Sequence, residues 1–453
     1  MTSRAIAAVI LAAGKGTRMK SSQHKVLHPL AGQPMIHHLL ATLDHVQTSR
    51  TVMVVGAGRD QVETAMAGRD IRFAVQEPQL GTGHAVMAAL PELDGHEGDI
   101  LVLYGDTPLI PADILAQMLS RLHSTPPNGS GKTGLVVLGF RPKDPAQYGR
   151  LVLDDDGALD RIVEYKDATP SERAISLCNS GVMAFDGALL PDLLSRLTNS
   201  NANGEYYLTD TVAIARSLGA SVQVVEALED DLIGVNSRMD LAKAEAVIQK
   251  RMRDAAMANG ATLIDPASVY FSHDTKLGRD VLVEPHVVFG PGVHIADGAT
   301  IRAFSHLEGA HVAENATIGP YARLRPGAEI GIGAKVGNFV EIKKAKVEEG
   351  AKISHLSYIG DASIGAHANI GAGTITCNYD GFSKYHTSIG AGAFIGSNSA
   401  LVAPVTIGAG AIIGAGSTLS GDVEADDLAL TRAERQTRPG WAKKFRAAKQ
   451  RKK

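Results

Sequence analysis

The sequence predicts a doubly wound α/β domain, a helical linker and a parallel β-helix, on the basis of three observations. Aliphatic residues recur every six positions in the C-terminal half, as they do from Ile389 to Leu419. Apolar, strand-like runs alternate with helix-like segments through residues 1 to about 235. Between these regions, residues 237–258 carry one apolar stripe at helical spacing. Alternating strands and helices indicate a doubly wound sheet, and a period of six indicates a β-helix.

Length and composition are those of a multidomain enzyme. With 453 residues, the chain is too long for a single hydrophobic core. Its formal net charge of −3 has no basic excess, so we expect no nucleic-acid partner. Cys178 and Cys377 form no disulfide framework, which is typical of the reducing cytoplasm. No segment reaches the roughly 18 apolar residues of a membrane span, so we expect no membrane insertion.

The first apolar run, Ala5–Ala13, follows Arg4 and has the composition of a short signal peptide. We interpret it as a buried first strand, because it leads directly into a glycine-containing turn and no cleavage context follows. The predicted strands of this domain include Ile6–Leu11, Val52–Val55, Ile100–Tyr104 and Leu135–Phe140. In such a sheet, ligands bind at the carboxyl ends of the strands.

The turn after the first strand has the sequence Leu11-Ala12-Ala13-Gly14-Lys15-Gly16-Thr17-Arg18-Met19. Its glycines allow backbone N–H groups to approach a phosphate, and Lys15, Arg18 and Lys25 can neutralise the charge. The turn has neither the third glycine of the dinucleotide fingerprint nor the Gly-Lys-Ser/Thr ending of a P-loop. Both a phosphate-binding turn and an ordinary tight turn are therefore compatible with it.

A carboxylate follows the third predicted strand, in the segment Leu103-Tyr104-Gly105-Asp106-Thr107-Pro108. Because strand ends face the ligand crevice, Asp106 is a candidate ligand for Mg²⁺ that arrives with the phosphates of a substrate. An Asp in this context is also common in turns and helix caps. The residues alone leave both roles open.

Residues 237–258 are predicted to form one helix. Ser237 and Asp240 have the spacing of a capping box, and Asn259-Gly260 is a stop signal. The apolar stripe consists of Leu241, Ala244, Ile248, Met252 and Ala255. We therefore predict a first domain at 1–236, a helical linker at 237–260, and a β-helix domain with a C-terminal tail at 261–453.

The six-residue ladder extends from Leu277 to Leu419 and keeps its register through eight sets of three. Steps of five occur only where a set is complete, after Leu307, Ile342 and Ile359. One step of thirteen, from Thr376 to Ile389, predicts a loop that begins near Cys377. In a β-helix each hexad is one short strand plus a turn, and three hexads close one coil. An irregular glycine-rich segment would not keep this register.

Charged side chains interrupt the repeat in one region. One coil is about eighteen residues, so Arg325, Lys343 and a residue near position 361 are expected to stack on one face. Stacked cations repel unless an anion lies nearby, which a substrate phosphate would supply; cations lying along the surface are the simpler interpretation. His355 is the candidate general base, because His titrates near neutral pH, although a single His is more often structural.

The tail from Asp426 is basic, and it ends in Lys443, Lys444, Arg446, Lys449, Arg451, Lys452 and Lys453. Such a tail is usually a solvated chain end, and contact with an anionic ligand or a partner subunit is the alternative.

Motifs of the first half resemble the sugar-1-phosphate nucleotidyltransferase family. They are Leu11–Met19 with Lys25, Gln76 with Leu80–Ala85, and Tyr104-Gly105-Asp106. The resemblance implies a Rossmann-like fold and the transfer of UMP from UTP to a sugar-1-phosphate. That reaction is an in-line attack by the substrate phosphate, so it demands positioning and charge neutralisation rather than a protein nucleophile.

The same resemblance implies roles for single residues of this sequence. Mg²⁺ would be held by Asp106 and Asn236, and phosphates would be contacted by Arg18 and Lys25. Uracil would be read by Gln76, Gly81 and Thr82, and the sugar would be held by Gly149, Glu164 and Asn179. Ser180 replaces the more usual Thr of an Asn-Thr-Gly motif and leaves the Asn in place. The other expected contacts are Leu11, Ala12, Ala13, Gly14, Tyr104 and Gly105.

Longer motifs in both halves resemble the bifunctional enzymes that join N-acetylglucosamine-1-phosphate uridylyltransferase to glucosamine-1-phosphate acetyltransferase. The motifs are Tyr148–Arg150, Ile162–Glu164, Asn179–Gly181, Gly204–Asp210, Gly234–Asn236, Tyr321–Gly327, Gly337–Lys344, His355–Asp361 and Asn369–Gly381. The resemblance covers nearly the whole chain. It implies a left-handed parallel β-helix and, by analogy, a homotrimer with acyl sites between subunits.

By this resemblance, His355 would deprotonate the 2-amino group of glucosamine-1-phosphate for attack on the thioester of acetyl-CoA. The sugar phosphate would be held by Arg325, Lys343, Tyr358 and Asn369, with Asn378 and Tyr379 beside the amine. Acetyl-CoA would be contacted by Ala372, Ser397, Ala415 and Arg432.

The main hypothesis is a cytoplasmic enzyme that acetylates glucosamine-1-phosphate and uridylylates the product to UDP-N-acetylglucosamine, a precursor of bacterial cell-wall polymers. A second hypothesis keeps the nucleotidyltransferase and treats the β-helix as an oligomerisation or regulatory scaffold. A third changes the base or the sugar, as in thymidylyl or adenylyl transfer. His355 and the loop with Asn378 and Tyr379 argue against a bare scaffold.

Overall fold

The computed structural model describes residues 4–126, 132–201 and 203–450. The chain forms two units that divide between Gln249 and Lys250, inside the helix Arg238–Ala258. The two predicted boundaries, after residues 236 and 260, lie on either side of this point and stay a prediction.

The first unit is built on a mixed sheet, with nine strands among its described residues. The run after Arg4 forms a central strand whose inner four residues are buried, so the prediction of a first strand is confirmed. The spatial order is Ser221–Ala227, Thr133–Phe140, Cys178–Asp186, Asp99–Tyr104, Ile6–Leu11, Arg50–Val55 and Arg72–Val75. In this order only Cys178–Asp186 runs antiparallel to its neighbours. The strands Arg150–Leu153 and Leu159–Val163 extend the sheet beside it.

Helices cover both faces of this sheet, as a doubly wound fold requires. Successive strand residues point to opposite faces, so Ala8 and Ile10 belong to one core and Ala7 and Val9 to the other. The α-helices are Met35–Val46, Arg59–Ala65, Thr82–Ala89, Ala112–Leu122, Pro170–Arg173, Leu190–Ser195 and Thr211–Ser217. Single 3₁₀ turns lie at Thr17–Met19, Lys25–Leu27, Leu90–Leu93, Leu208–Asp210 and Glu229–Asp231, and Pro29–Leu30 pairs with Gln33–Pro34.

The predicted helix start is confirmed by its capping box. The Ser237 Oγ accepts a hydrogen bond from the Asp240 amide at 3.3 Å, and the Asp240 Oδ2 accepts one from the Ser237 amide at 2.9 Å. The chain leaves the helix at Gly260, whose φ of 102° suits glycine. The predicted and observed helices therefore agree within one residue at each end.

The second unit is a left-handed parallel β-helix, whose described strands form three stacks. The first stack contains Thr262–Leu263, Leu282–Val283, Thr300–Ile301, Thr317–Ile318, Lys335–Asn338, Lys352–His355, Asn369–Ile370, Phe394–Ile395, Ile412–Ile413 and Leu428–Ala429. The second contains Val288–Phe289, His306–Leu307, Arg323–Leu324, Ile375–Cys377, Ala400–Val402 and Thr418–Leu419. The third contains Lys276–Leu277, His294–Ile295, Ala310–Val312, Ala328–Ile330, Thr387–Ile389 and Val405–Ile407. The longer strands Glu341–Val347 and Tyr358–Ile364 turn a corner and join the second and third stacks.

The predicted ladder is confirmed, and the β-helix is longer than it at both ends. Leu263 and Phe271 are two further buried residues of the repeat before Leu277. The spacing of eight residues between Leu263 and Phe271 breaks the period of six. At the other end Leu428–Ala429 pairs with Ile412–Ile413, so the tail does not begin at Asp426 as predicted. The tail also contains an unpredicted helix, Trp441–Gln450, whose side chains are exposed.

Truncation of one buried aliphatic residue of the repeat tests how much the interior stabilises the coils. Ile301 is fully buried, so Ile301→Ala is expected to lower the free energy of unfolding of this unit by about 2–5 kcal/mol. The neighbouring Arg302 is exposed, and Arg302→Ala is the matched control with an expected change within about 0.5 kcal/mol. Denaturant unfolding measures both, and equal effects would contradict an interior role for Ile301.

Candidate active sites

A cavity of about 400 Å³ lies at the carboxyl ends of the central strands of the first unit. The predicted residues that line it are Leu11, Ala12, Ala13, Gly14, Lys25, Gln76, Gly81, Thr82, Tyr104 and Asp106. Four further lining residues were not predicted as contacts, although two of them belong to quoted motifs; they are Val26, Gln79, Ala85 and Glu205. Gln79 Nε2 donates to the carbonyl oxygen of Ala13, which ties the two walls of the cavity together.

A lysine of this cavity joins the two predicted metal ligands, Asp106 in its lining and Asn236 beside it. Lys25 Nζ forms an ion pair with Asp106 Oδ2 and donates to Asn236 Oδ1 at 3.2 Å. The Val235 amide donates to the Asp106 carbonyl oxygen at 2.8 Å, which brings Asn236 to this strand end. A carboxylate and an amide oxygen that already face one cation are suitable ligands for Mg²⁺. Within the described ranges, no group of three or more His, Cys, Asp or Glu is placed so that it could hold a metal ion, so water and substrate phosphates would complete the coordination.

The predicted sugar-binding residues also lie together. The Asn179 amide donates to the Gly149 carbonyl oxygen at 2.8 Å, and Thr209 Oγ1 donates to Glu164 Oε1 at 3.3 Å. Burial raises the pKa of Glu164, and it also raises the pKa of Tyr104, whose ring lies against Gly181. This part of the site is therefore a partly buried, polar environment of the kind that hydrogen-bonds sugar hydroxyls.

Besides Asn236 and the sugar-binding residues, Arg18 and Gly105 are predicted contacts that do not line the cavity. Arg18 is exposed on the 3₁₀ turn Thr17–Met19. Gly105 is buried, and a Cβ there would lie 3.1 Å from Val26 Cγ1. Gly105 therefore contributes close packing of the strand end.

In the second unit, the register of the first stack aligns five residues in one column. Ile353, Ile370, Ile395 and Ile413 pair in turn, so the residues two positions later also stack. Below them, Asn338 pairs with His355. The column, called here the base column, is Asn338, His355, Ala372, Ser397 and Ala415. His355, the candidate base, therefore lies one strand spacing, about 4.8 Å, from Ala372, the first predicted acetyl-CoA contact.

The predicted phosphate cations lie on the neighbouring face. The register aligns Arg325 with Lys343 and Lys343 with Gly360, close to the expected position 361. Arg325 Nη1 contacts Glu341 Oε1 at 2.8 Å, and this hydrogen bond raises the pKa of Arg325. Since Glu341 supplies an anion, the spacing of the cations does not by itself require a phosphate.

A second lysine, Lys384, lies near Lys343. The pKa of Lys384 is lowered, chiefly because its ammonium faces that of Lys343. Lys384 belongs to the predicted loop, which leaves the coil after Ile375–Cys377 and returns at Thr387–Ile389. Two ammonium groups held together in this way favour a bound anion.

The loop also brings Asn378 to this face. Asn378 Nδ2 donates to Asp361 Oδ2, and a Cβ at Gly360 would collide with Asn378 Nδ2 and the Tyr358 hydroxyl. Glycine at 360 therefore lets these two predicted contacts converge. The Tyr379 hydroxyl donates to the Gly381 carbonyl oxygen at 2.6 Å within the loop, and its ring is exposed.

The remaining predicted contacts lie near the same corner. Asn369 is half-buried and begins the strand Asn369–Ile370. The exposed Arg432 has its guanidinium beside Gly414, next to Ala415. Sequence reasoning missed Asn338, Glu341, Asp361 and Lys384. Asn338 and Asp361 lie 17 positions before their partners His355 and Asn378, and Glu341 lies 16 positions after its partner Arg325. The coil period was therefore the signal that could have found these three residues.

Comparisons with known proteins cover both units. Residues 8–158 match the MobA-like NTP transferase domain, and residues 274–309 and 386–421 match the bacterial transferase hexapeptide family of six repeats. None of the described helices is long and apolar enough to cross a membrane.

Relatives match over nearly the full length of the chain. The bifunctional protein GlmU of Rhodospirillum rubrum is 61% identical over 442 residues, which are 97% of each chain. The bifunctional protein GlmU of Sphingopyxis alaskensis is 56% identical over 448 residues, 99% of this chain and 98% of the relative. That of Paramagnetospirillum magneticum is 55% identical over 447 residues, with the same coverage. The chain therefore belongs to the family of the bifunctional protein GlmU.

Proposed function

We propose that this chain acetylates glucosamine-1-phosphate with acetyl-CoA and then transfers UMP from UTP to the product, which gives UDP-N-acetylglucosamine and pyrophosphate. The observation that carries the proposal is the presence of two separate, chemically different sites on one chain. One is the cavity lined by Lys25 and Asp106, with Asn236 hydrogen-bonded to Lys25 beside it. The other is the base column with the cations beside it.

In the acetyl transfer, His355 is the general base. Its Nε2 takes a proton from the 2-amino group while the nitrogen lone pair forms a bond to the thioester carbonyl carbon. The tetrahedral intermediate collapses, the C–S bond breaks, and the proton passes from the imidazolium to the departing CoA sulfur. Arg325, Lys343 and Lys384 balance the charge of the sugar phosphate, and Tyr358 and Asn369 complete its binding. Asn378 and Tyr379 lie beside the amine.

The acetyl donor is bound along the base column. Ala372, Ser397 and Ala415 are small, so they leave room on the corner for an extended ligand. Arg432, whose side chain lies beside Gly414, is positioned to contact the anionic end of that ligand.

In the uridylyl transfer, a phosphate oxygen of N-acetylglucosamine-1-phosphate attacks the α-phosphorus of UTP, and the bond to pyrophosphate breaks. The first-strand turn, Gln76, Gly81 and Thr82 bind the nucleotide, and Gly149, Glu164 and Asn179 bind the sugar. Lys25 and Arg18 balance phosphate charge. Asp106 and Asn236 would hold Mg²⁺, which when bound neutralises charge on the phosphates. We further propose that the enzyme acts in the cytoplasm, where neither free cysteine is oxidised.

Removing the carboxylate of the first site is expected to separate the two activities. Asp106→Ala should lower kcat of uridylyl transfer by about 10²-fold or more, because Lys25 and Mg²⁺ lose their anionic partner. Thiol release from acetyl-CoA should be unchanged. Asp113→Ala, which removes an exposed carboxylate from the helix Ala112–Leu122, is the matched control. Pyrophosphate release measures the effect, and an unaltered rate in Asp106→Ala would remove this residue from the site.

The second site is tested by thiol release from acetyl-CoA and glucosamine-1-phosphate without UTP. His355→Ala should slow this release by about 10²–10⁴-fold, the usual contribution of a positioned general base, and spare pyrophosphate release. His306→Ala removes an exposed His elsewhere on the β-helix and serves as control. N-acetylglucosamine-1-phosphate in place of the amine should abolish release. Absence of release from the unaltered protein, with uridylyl transfer intact, would leave the β-helix as a scaffold.

The proposed assembly is a homotrimer formed by the β-helix. Sedimentation equilibrium should then give three times the chain mass of 47.5 kDa. A mass that matches one chain over the micromolar range would contradict this assembly.

A further inference from the structure

We infer that Asn338 is a positioning residue that holds His355 in the one neutral tautomer able to act as a base at Nε2. The inference rests on the proposed acetyl transfer. Asn338 and His355 are paired residues on neighbouring strands of the first stack. The Asn338 Oδ1 lies 2.7 Å from the His355 Nδ1.

The chemistry follows from what each atom can donate. A carboxamide oxygen carries no hydrogen, so the hydrogen in this contact must be on Nδ1. In a neutral imidazole the other nitrogen then has a free lone pair, and here that nitrogen is Nε2. Without the Asn338 oxygen, the ring would sample both tautomers, and one of them cannot accept a proton at Nε2. Asn338 therefore raises the fraction of neutral His355 that can accept a proton at Nε2.

The backbone fixes both partners of this hydrogen bond. The Leu356 amide donates to the Asn338 carbonyl oxygen at 3.0 Å, and the Gly373 amide donates to the His355 carbonyl oxygen at 3.2 Å. A Cβ at Gly337 would overlap the Ser354 carbonyl group, so glycine permits the close approach of the two strands just before Asn338. On the other side of His355, the next coil contributes Ala372 and Gly373, neither of which carries a charge. The coil register therefore fixes the position of Asn338 beside His355.

The neutral amide matters as much as its position. A carboxylate in the same place would also bind Nδ1–H, but it would stabilise the imidazolium form of His355. An imidazolium cannot take a proton from the amine. Asn338 thus orients the ring without favouring its protonated form, and replacement by Asp separates the two effects.

The experiment measures thiol release against pH for Asn338→Ala and Asn338→Asp in the full chain. Asn338→Ala should lower kcat about 10- to 100-fold, part of the contribution of a positioned base, with KM for both substrates within about twofold. Asn338→Asp should keep the tautomer, so its plateau kcat should stay within about threefold, and the acid limb of its kcat/KM profile should move to higher pH. Lys335→Ala, on the same strand and aligned with Lys352, is the matched control.

A double variant distinguishes positioning from a structural role. If Asn338 acts through His355, Asn338→Ala should cause no further loss in the His355→Ala background, because residues that act as a unit are not additive. An equal loss in both backgrounds, or an unshifted pH profile in Asn338→Asp, would overturn the inference. Full activity of His355→Ala alone would instead overturn the proposed base, and uridylyl transfer in each variant reports that the chain is folded.

Discussion

The parallel register between successive coils is the constraint on which the second site depends. Backbone hydrogen bonds between neighbouring strands fix each residue above its counterpart on the coil below. Buried rungs such as Ile353 and Ile370 hold that register, because a slip by one residue would turn apolar side chains outward. The base column and the stacked cations are therefore set by the interior, although none of their side chains belongs to it.

The first site depends on a different constraint, the convergence of strand ends in a doubly wound sheet. The strands Ile6–Leu11 and Asp99–Tyr104 are neighbours, so the turn after one and the carboxylate after the other share one crevice. Lys25 then links Asp106 to Asn236, which lies far away in the sequence. The ion pair between Lys25 and Asp106 and the hydrogen bond from Lys25 to Asn236 join parts of the site that the sheet alone does not bring together.

The sequence predicted the fold well, because the six-residue period of a β-helix and the helical spacing of an apolar stripe report directly on which side chains face the interior. The ladder from Leu277 to Leu419 and the helix Arg238–Ala258 illustrate this. The end rungs and the helix Trp441–Gln450 escaped prediction, since irregular spacing breaks the period and the tail helix buries no side chain. Side chains that act through another residue, such as Asn338 and Lys384, also escaped, because the pattern gives positions but not hydrogen-bond partners.

The base column also makes the β-helix a molecular ruler. Each coil adds one strand spacing, about 4.8 Å, so the distance from His355 to Ala415 is counted in whole coils. Insertion of a complete coil between Ser397 and Ala415 would leave His355 and the loop with Asn378 and Tyr379 unchanged, and would alter only the reach of the groove. Evolution can therefore adjust the length of the acyl donor that such a surface accepts in discrete steps, without redesigning the catalytic end.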